Sequence, residues 1–253
     1  MALSTLLMQE LCKRLTPGVR IASMGYPDLI APPKEIERIL GAKFHGLKYR
    51  KDSEDIGKWH GVEHKIPDAH SFFELQGATL DVYDIAEHRG GEIPSDLNEV
   101  GMGISYTRGG IHACYDLVLD VGTLEHCFAI GQAAISMSGL LKQCEFILHE
   151  NPFNSGNHGL YNMNPTWYAD FYGQRGFKLH ECWLAPRGEE PIKNIERTTR
   201  FNYQGPEANV IAIAERLEVL PIEFVVQSKY KKMIQKALPD SGDLEMATTA
   251  QGR

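Results

Sequence analysis

The chain has 253 residues, 43% of them hydrophobic, and 26 Lys and Arg stand against 33 Asp and Glu for a net charge of −7. That length suffices for one domain with a substantial core, while the acidic balance repels a phosphate backbone and no basic tract longer than KYKK at 229–232 offsets it. Nucleic acid is therefore excluded as a main partner, and with no run near the ~18 apolar residues of a membrane helix, so is a membrane span.

The opening MALSTLLMQELCKRL mixes charges into its apolar pattern and does not read as a signal peptide. Leu3, Leu6, Leu7, Leu11 and Leu15 fall on one face of a helix expected over Ala2–Leu15. Thr16-Pro17-Gly18 stops it. VRIASMG, 19–25, reads as a strand, and Pro32-Pro33 opens a helix over KEIERILG. Residues from about 43 to 76 are expected to form an irregular insertion ending in a short helix, 68–75, with Asp68 as its N-cap. ATLDVY, 78–83, is the next strand and ends at Asp84, and a short extended piece at 91–94 leads into Ser95-Asp96-Leu97-Asn98.

In YDLVLDVGTLEHCF, 115–128, Leu117, Val118, Leu119 and Val121 give the pattern of a strand covered on both faces. Helix is expected over 128–142, strand over 144–149, helix over 165–174, strand over 177–184 and a last strand over 209–217. KYKK reads as the solvated face of a late element. Strands alternating with helices predict an α/β fold, a Rossmann-like, seven-stranded, mostly parallel sheet with helices on both faces. The sequence predicts a single domain over 1–238 and a disordered tail over 239–253. Five cysteines without a C-x-x-C pair suit reduced thiols and a cytoplasmic setting.

Ligands of an open parallel sheet bind beyond the carboxyl ends of its strands. That rule selects Ser23-Met24-Gly25-Tyr26, Asp84, Asp96-Leu97-Asn98, Asp120 to His126 and Glu150-Asn151-Pro152. Carboxylates there accept hydrogen bonds from ribose hydroxyls or an adenine amine, or they cap helices. The polar, aromatic stretch NSGNHGLYNMNP, 154–165, follows another strand end. Its His158, Tyr161 and Asn162 suit hydrogen bonds to a polar substrate such as a sugar, or else a structured turn.

YDLVLDVGTLEHCF, the later HENPFNSGNHGLYNMNPTWYADFYGQRGF and the earlier EIPSDLNE together resemble the class I S-adenosylmethionine-dependent methyltransferase superfamily. More narrowly, they are similar to a bacterial small-molecule and sugar-type subgroup with DLN, GTLEH and HGxY elements, over about residues 17–185. The resemblance implies S-adenosyl-L-methionine as cofactor and places Met24, Gly25 and Tyr26 in the first cofactor loop. It implies that Asp84 holds the ribose, that Asp96 and Leu97 flank the adenine, and that Asp120 and Gly122 line the methionine end. Glu125 and His126 would face the substrate, with His126 as candidate general base, because an imidazole titrates near neutral pH. The bland readings are that His126 packs at the start of a helix and that Glu125 is an acid favoured by the helix dipole. The implied reaction is methylation of a small polar acceptor, O-methylation of a sugar or related metabolite first. A homo-oligomer is left open, and no metal is assigned.

One departure bears on activity. The first loop, SMGYPDLIAPP, has one glycine where such enzymes carry GxGxG, and Tyr26 there either covers the methionine portion or fills its space. The alternative is therefore a catalytically inactive, methyltransferase-like binding or scaffolding protein. His60-Gly61-Val62-Glu63-His64 matches H-x-x-E-H, but its central glycine and polar surroundings predict a loop over the pocket rather than a zinc helix. No G-x-G-x-x-G supports a nicotinamide enzyme and no G-x-S-x-G a hydrolase.

Overall fold

A computed structural model of the chain describes residues 2–99, 113–195, 200–220 and 225–231. The expected tail over 239–253 lies outside them. Seven strands make the main sheet: β2 (Arg20–Met24), β4 (Thr79–Asp84), β5 (Ile93–Pro94), β6 (Tyr115–Val121), β7 (Leu141–Pro152), β8 (Phe177–Pro186) and β9 (Ala208–Arg216). Their order is β5-β4-β2-β6-β7-β9-β8. All neighbours run parallel except β9, which is antiparallel to both β7 and β8. The expected seven-stranded, mostly parallel α/β sheet is what the chain forms.

Alternation of side chains along each strand builds two cores. Ile21, Leu117, Leu119 and Val121 point to one face, where they meet α1 (Thr5–Cys12), α2 (Pro33–Leu40) and α4 (Ala69–Leu75) through Leu7, Leu11, Ile36, Phe72 and Phe73. Ala22, Met24 and Val118 point to the other, against α5 (Ile130–Leu140) and α6 (Pro165–Gly173) through Ala133, Met137, Tyr168 and Tyr172. Burial on both faces explains why Leu117, Val118 and Leu119 form an apolar run without a period of two.

Local chemistry sets the helix starts. Pro33 occupies the first turn of α2, where a missing N–H costs nothing, and Asp68 caps α4 by accepting from Ser71 N.

Three expectations need correction. Ala2–Leu3 is a short strand, β1, pairing in parallel with β3 (Asp28–Leu29), and the first helix begins only after Ser4, whose hydroxyl accepts from Leu7 N. The 43–76 segment is not irregular, since α3 (Ser53–His60) lies inside it, ended by Gly61 at φ +68°. That left-handed turn takes His64 off the helix, so His60 and His64 do not share a helical face; His60 Nε2 lies 3.0 Å from Asp28 Oδ2 instead. Finally, β7 starts at Leu141, three residues earlier than its sequence suggests, because Leu141 pairs with Tyr115 across the sheet and Cys144 takes φ +63° within the strand. Pairing with β6 overrides the helical pattern of α5.

Candidate functional site

After β2 the chain moves outward through β4 and β5, then returns to add β6 and β7 on the other side. The crevice between β2 and β6 is thus a topological switch point, the place where open α/β sheets bind ligands. Each strand is followed by a glycine with positive φ, Gly25 at +76° and Gly122 at +80°. Each lets the chain turn sharply away from the crevice. Gly25 N donates to Tyr83 O, and Thr123 Oγ1 donates to Met24 O at 2.6 Å, so the strand ends are tied together.

An open cleft of about 1550 Å³ lies along this edge. That exceeds the roughly 300–1,000 Å³ of a site for one small ligand. Gly25, Tyr26, Asp84, Asp96 and Leu97 line one part and Gly122, Glu125, His126 and His158 another. Asp84 ends β4 and Gly122 follows β6, two positions apart in the sheet, or about 10 Å at ordinary strand spacing. Trp59, 72% exposed and stacked on His60, stands at the rim, as does Ile85.

Several sequence-selected residues are held by partners inside the protein. Tyr26 is buried; its hydroxyl donates to Asp68 Oδ2 and accepts from Ala69 N, both at 2.9 Å, and the Arg50 guanidinium lies over its ring. It fastens the first loop to the 43–76 segment. Asp96 Oδ1 accepts from the backbone and side chain of Asn98, and Asn98 Oδ1 in turn accepts from Ala129 N just before α5. DLN therefore also anchors the start of α5. Met24 and Asp120 are wholly buried. Asp120 Oδ1 accepts from Thr123 N and Leu124 N, and Oδ2 from His149 Nδ1 at 2.7 Å. A carboxylate only accepts, so His149 carries its proton on Nδ1 and its Nε2 accepts from the Tyr172 hydroxyl at 2.5 Å. The floor of the site is thus a buried chain of hydrogen bonds.

Beside it stands a second chain. Tyr168 donates to Asn151 Oδ1, and Asn151 Nδ2 donates to Glu125 Oε2 at 3.0 Å. Glu125 is fully buried on the short turn Leu124–His126. Its other oxygen, Oε1, has no hydrogen-bond donor among the described residues and faces His158 Nε2 at 3.4 Å and His126 Nε2 at 3.8 Å. Burial, helped by Asp120, pushes the Glu125 carboxyl up to about 7. Desolvation and then His158 lower the His126 imidazole. Glu125 is therefore no solvated helix-start acid.

The loop carrying His158 is fitted to Glu125. Leu160 N and Tyr161 N both donate to Glu125 O, and Gly159 lies so close that a Cβ there would come within 2.8 Å of Glu125 Cγ. Tyr161 donates its hydroxyl to Phe128 O, and Asn162 is exposed; neither side chain lines the cleft. Sequence reasoning passed over Asp28, which is wholly buried and accepts from Arg89 Nη1 and Nη2 as well as facing His60. It joins the first loop, the end of α3 and the loop after β4 into one wall, and an isolated acid gives no sign of that in sequence. Among the described residues no helix is long and apolar enough to cross a membrane.

No family model and no curated protein matches the chain. Among solved structures it is similar to a Burkholderia thailandensis 1,6-didemethyltoxoflavin-N1-methyltransferase with bound 1,6-didemethyltoxoflavin and S-adenosylhomocysteine, at 14% identity and TM-score 0.47 over 83% of this chain and 76% of that one. It is also similar to the trans-methyltransferase CalH in complex with SAH, at 14% identity and TM-score 0.44 over 82% of this chain and 54% of that one. A third is a SAM-dependent methyltransferase from Archaeoglobus fulgidus, at 11% identity and TM-score 0.44 over 83% and 91%. Likenesses this distant carry no residue roles across, so the functional reading rests on this chain's own residues.

Proposed function

We propose that the protein is an S-adenosylmethionine-dependent methyltransferase of a small polar acceptor, with O-methylation of a sugar or related metabolite the first choice. The observation that carries this reading is the placement of the cleft. It spans the switch point, with Asp84 and Asp96 on the β4 side and the Glu125, His126 and His158 cluster on the β6 side. Asp84 is suited to the ribose hydroxyls, since a carboxylate offers two acceptors. Its Oδ1 already takes Ile85 N, which fixes its orientation. Leu97, 6% exposed, offers an apolar face to the adenine.

Methyl transfer asks little of the protein beyond alignment and removal of one proton. The acceptor oxygen bonds to the methyl carbon as the carbon–sulfur bond breaks, and the bonding pair returns to sulfur, turning the sulfonium into the neutral thioether of S-adenosylhomocysteine. The hydroxyl proton leaves toward the Glu125, His126 and His158 cluster, with His126 the candidate base because its ring is half-exposed on the cleft. The rival reading, a binding protein without catalysis, draws on the glycine-poor loop SMGYPD.

Calorimetry with S-adenosylhomocysteine on the full chain separates the two. Binding that Asp84→Ala weakens supports the enzyme, and absence of binding at millimolar ligand overturns it.

A further inference from the structure

We propose that Glu125, His126 and His158 form a binding site for a divalent transition-metal cation, whose open coordination positions face the cleft and take the oxygen atoms of the acceptor. The proposal rests on the reading of this cluster as the acceptor end and refines it.

Geometry is the first ground. One ligand atom from each of the three residues lies within 4.8 Å of the others, a spread that modest rotation of two half-exposed imidazoles closes to a common ion. The second ground is the state of Glu125. A fully buried carboxylate oxygen without a donor is costly, and among the described residues Oε1 has none, while it faces His158 Nε2 at 3.4 Å and His126 Nε2 at 3.8 Å. A cation there gives it a partner.

The site is also built from behind. Asn151, itself held by Tyr168, takes Oε2 and so directs Oε1 outward, the outer support that ligating carboxylates usually have. Asp120 fixes the turn carrying Glu125 and His126 by accepting from two of its backbone N–H groups. The His158 loop is pinned to Glu125 O by Leu160 N and Tyr161 N, which both donate to it. Two segments, the 124–126 turn and the loop that follows β7, therefore converge on one point.

Donor chemistry selects the ion. Two imidazoles and one carboxylate suit Zn²⁺, Co²⁺, Fe²⁺ or Mn²⁺, whereas Mg²⁺ and Ca²⁺ prefer all-oxygen sites. Three protein ligands leave at least one position open. The open side is the cleft, so an acceptor with two neighbouring oxygens, a diol or a hydroxyl beside a carbonyl, would chelate there. With the cation present, His126 is a ligand rather than a base. A cation held there would acidify a coordinated hydroxyl, whose proton would leave to solvent through the open cleft.

The test uses the full chain, stripped with a chelator and titrated with Co²⁺ and Zn²⁺, with cobalt absorption and metal analysis as readouts. One equivalent per chain is expected, with affinity at least tenfold weaker in His158→Ala and in Glu125→Gln. His158 is half-exposed, so its variant reports on the site without threatening the fold. Cys144→Ser, at an exposed thiol away from the site, should leave the cobalt spectrum unchanged. Failure to bind either ion, or binding that neither site variant weakens, overturns the proposal. S-adenosylhomocysteine calorimetry on the same samples keeps the two readings apart: metal binding without nucleoside binding overturns only the methyltransferase reading, and the converse overturns only the metal site.

Discussion

Replacing Gly159 by alanine tests how tightly the 154–164 loop is fitted to Glu125. The added Cβ would lie 2.8 Å from Glu125 Cγ and 3.0 Å from Glu125 O. Carbons pack at ~3.5 Å or more, so the loop must retreat by about 0.7 Å. Glu125 cannot yield instead, because Asn151 holds its carboxyl and Leu160 N and Tyr161 N hold its carbonyl. Overpacking of this kind costs about 1–3 kcal/mol. Gly156, in the same loop, has nothing within 4 Å of its would-be Cβ, so Gly156→Ala is a matched control expected within about 0.5 kcal/mol of the parent. Urea denaturation measures both. Gly159→Ala should also move His158 away from Glu125 and weaken cobalt binding tenfold, while leaving S-adenosylhomocysteine affinity intact. Equal stability of the two variants together with unchanged cobalt affinity would refute the described fit.

If Asp84 holds the ribose as proposed, Asp84→Ala removes one charge-assisted hydrogen bond of about 1.5–3 kcal/mol, so calorimetry should show S-adenosylhomocysteine affinity down roughly 10- to 150-fold; no change would remove Asp84 from the site. Asp28→Ala strips Arg89 and His60 of a buried partner and should cost about 3–5 kcal/mol in urea denaturation; a loss under 1 kcal/mol counts against the wall described above. Trp59 is the tryptophan on the rim, whereas Trp183 is buried and Trp167 stacks on Phe171. Tryptophan emission should therefore shift on ligand binding in the parent and not in Trp59→Phe. Glu150 is buried, accepts from Ser4 N and Asn209 Nδ2, and is pushed above the usual carboxyl range by desolvation. A raised folded pKa gives stability that is complete below the unfolded value of about 4.3 and is lost as pH rises through the folded one. The stability of Glu150→Gln relative to the parent should accordingly climb from about pH 4 toward neutrality, and a flat difference would contradict the assignment.

The site was only partly legible in the sequence. The strand-end rule selected Gly25, Asp84, Asp96, Gly122, Glu125 and His126 because a parallel sheet puts every such end on one edge, and all of them line the cleft. What each side chain does there was not legible. Tyr26 reads as a residue of the cofactor loop, yet its hydroxyl is engaged by Asp68, 42 positions away. Glu125 reads either as a substrate-facing residue or as an acid favoured by the helix dipole, and only the packing of Gly159 and Asn151 around it shows it buried and directed.

By itself the sequence determined the layers. Apolar runs at strand length, Pro33 at the first turn of α2, Asp68 at the cap of α4 and the alternation of the two give an α/β sheet covered on both faces, because these signals act within a few residues of the chain. Contacts between distant segments were decided only by the tertiary structure. Insertion of antiparallel β9 beside β7 brings Asn209 to Glu150, and closure of the 154–164 loop brings His158 to Glu125 and His126. Such meetings depend on sheet order and loop packing, which no local pattern encodes. For that reason the sequence located the edge where the cleft lies, and the fold alone assembled the cluster of side chains that faces it.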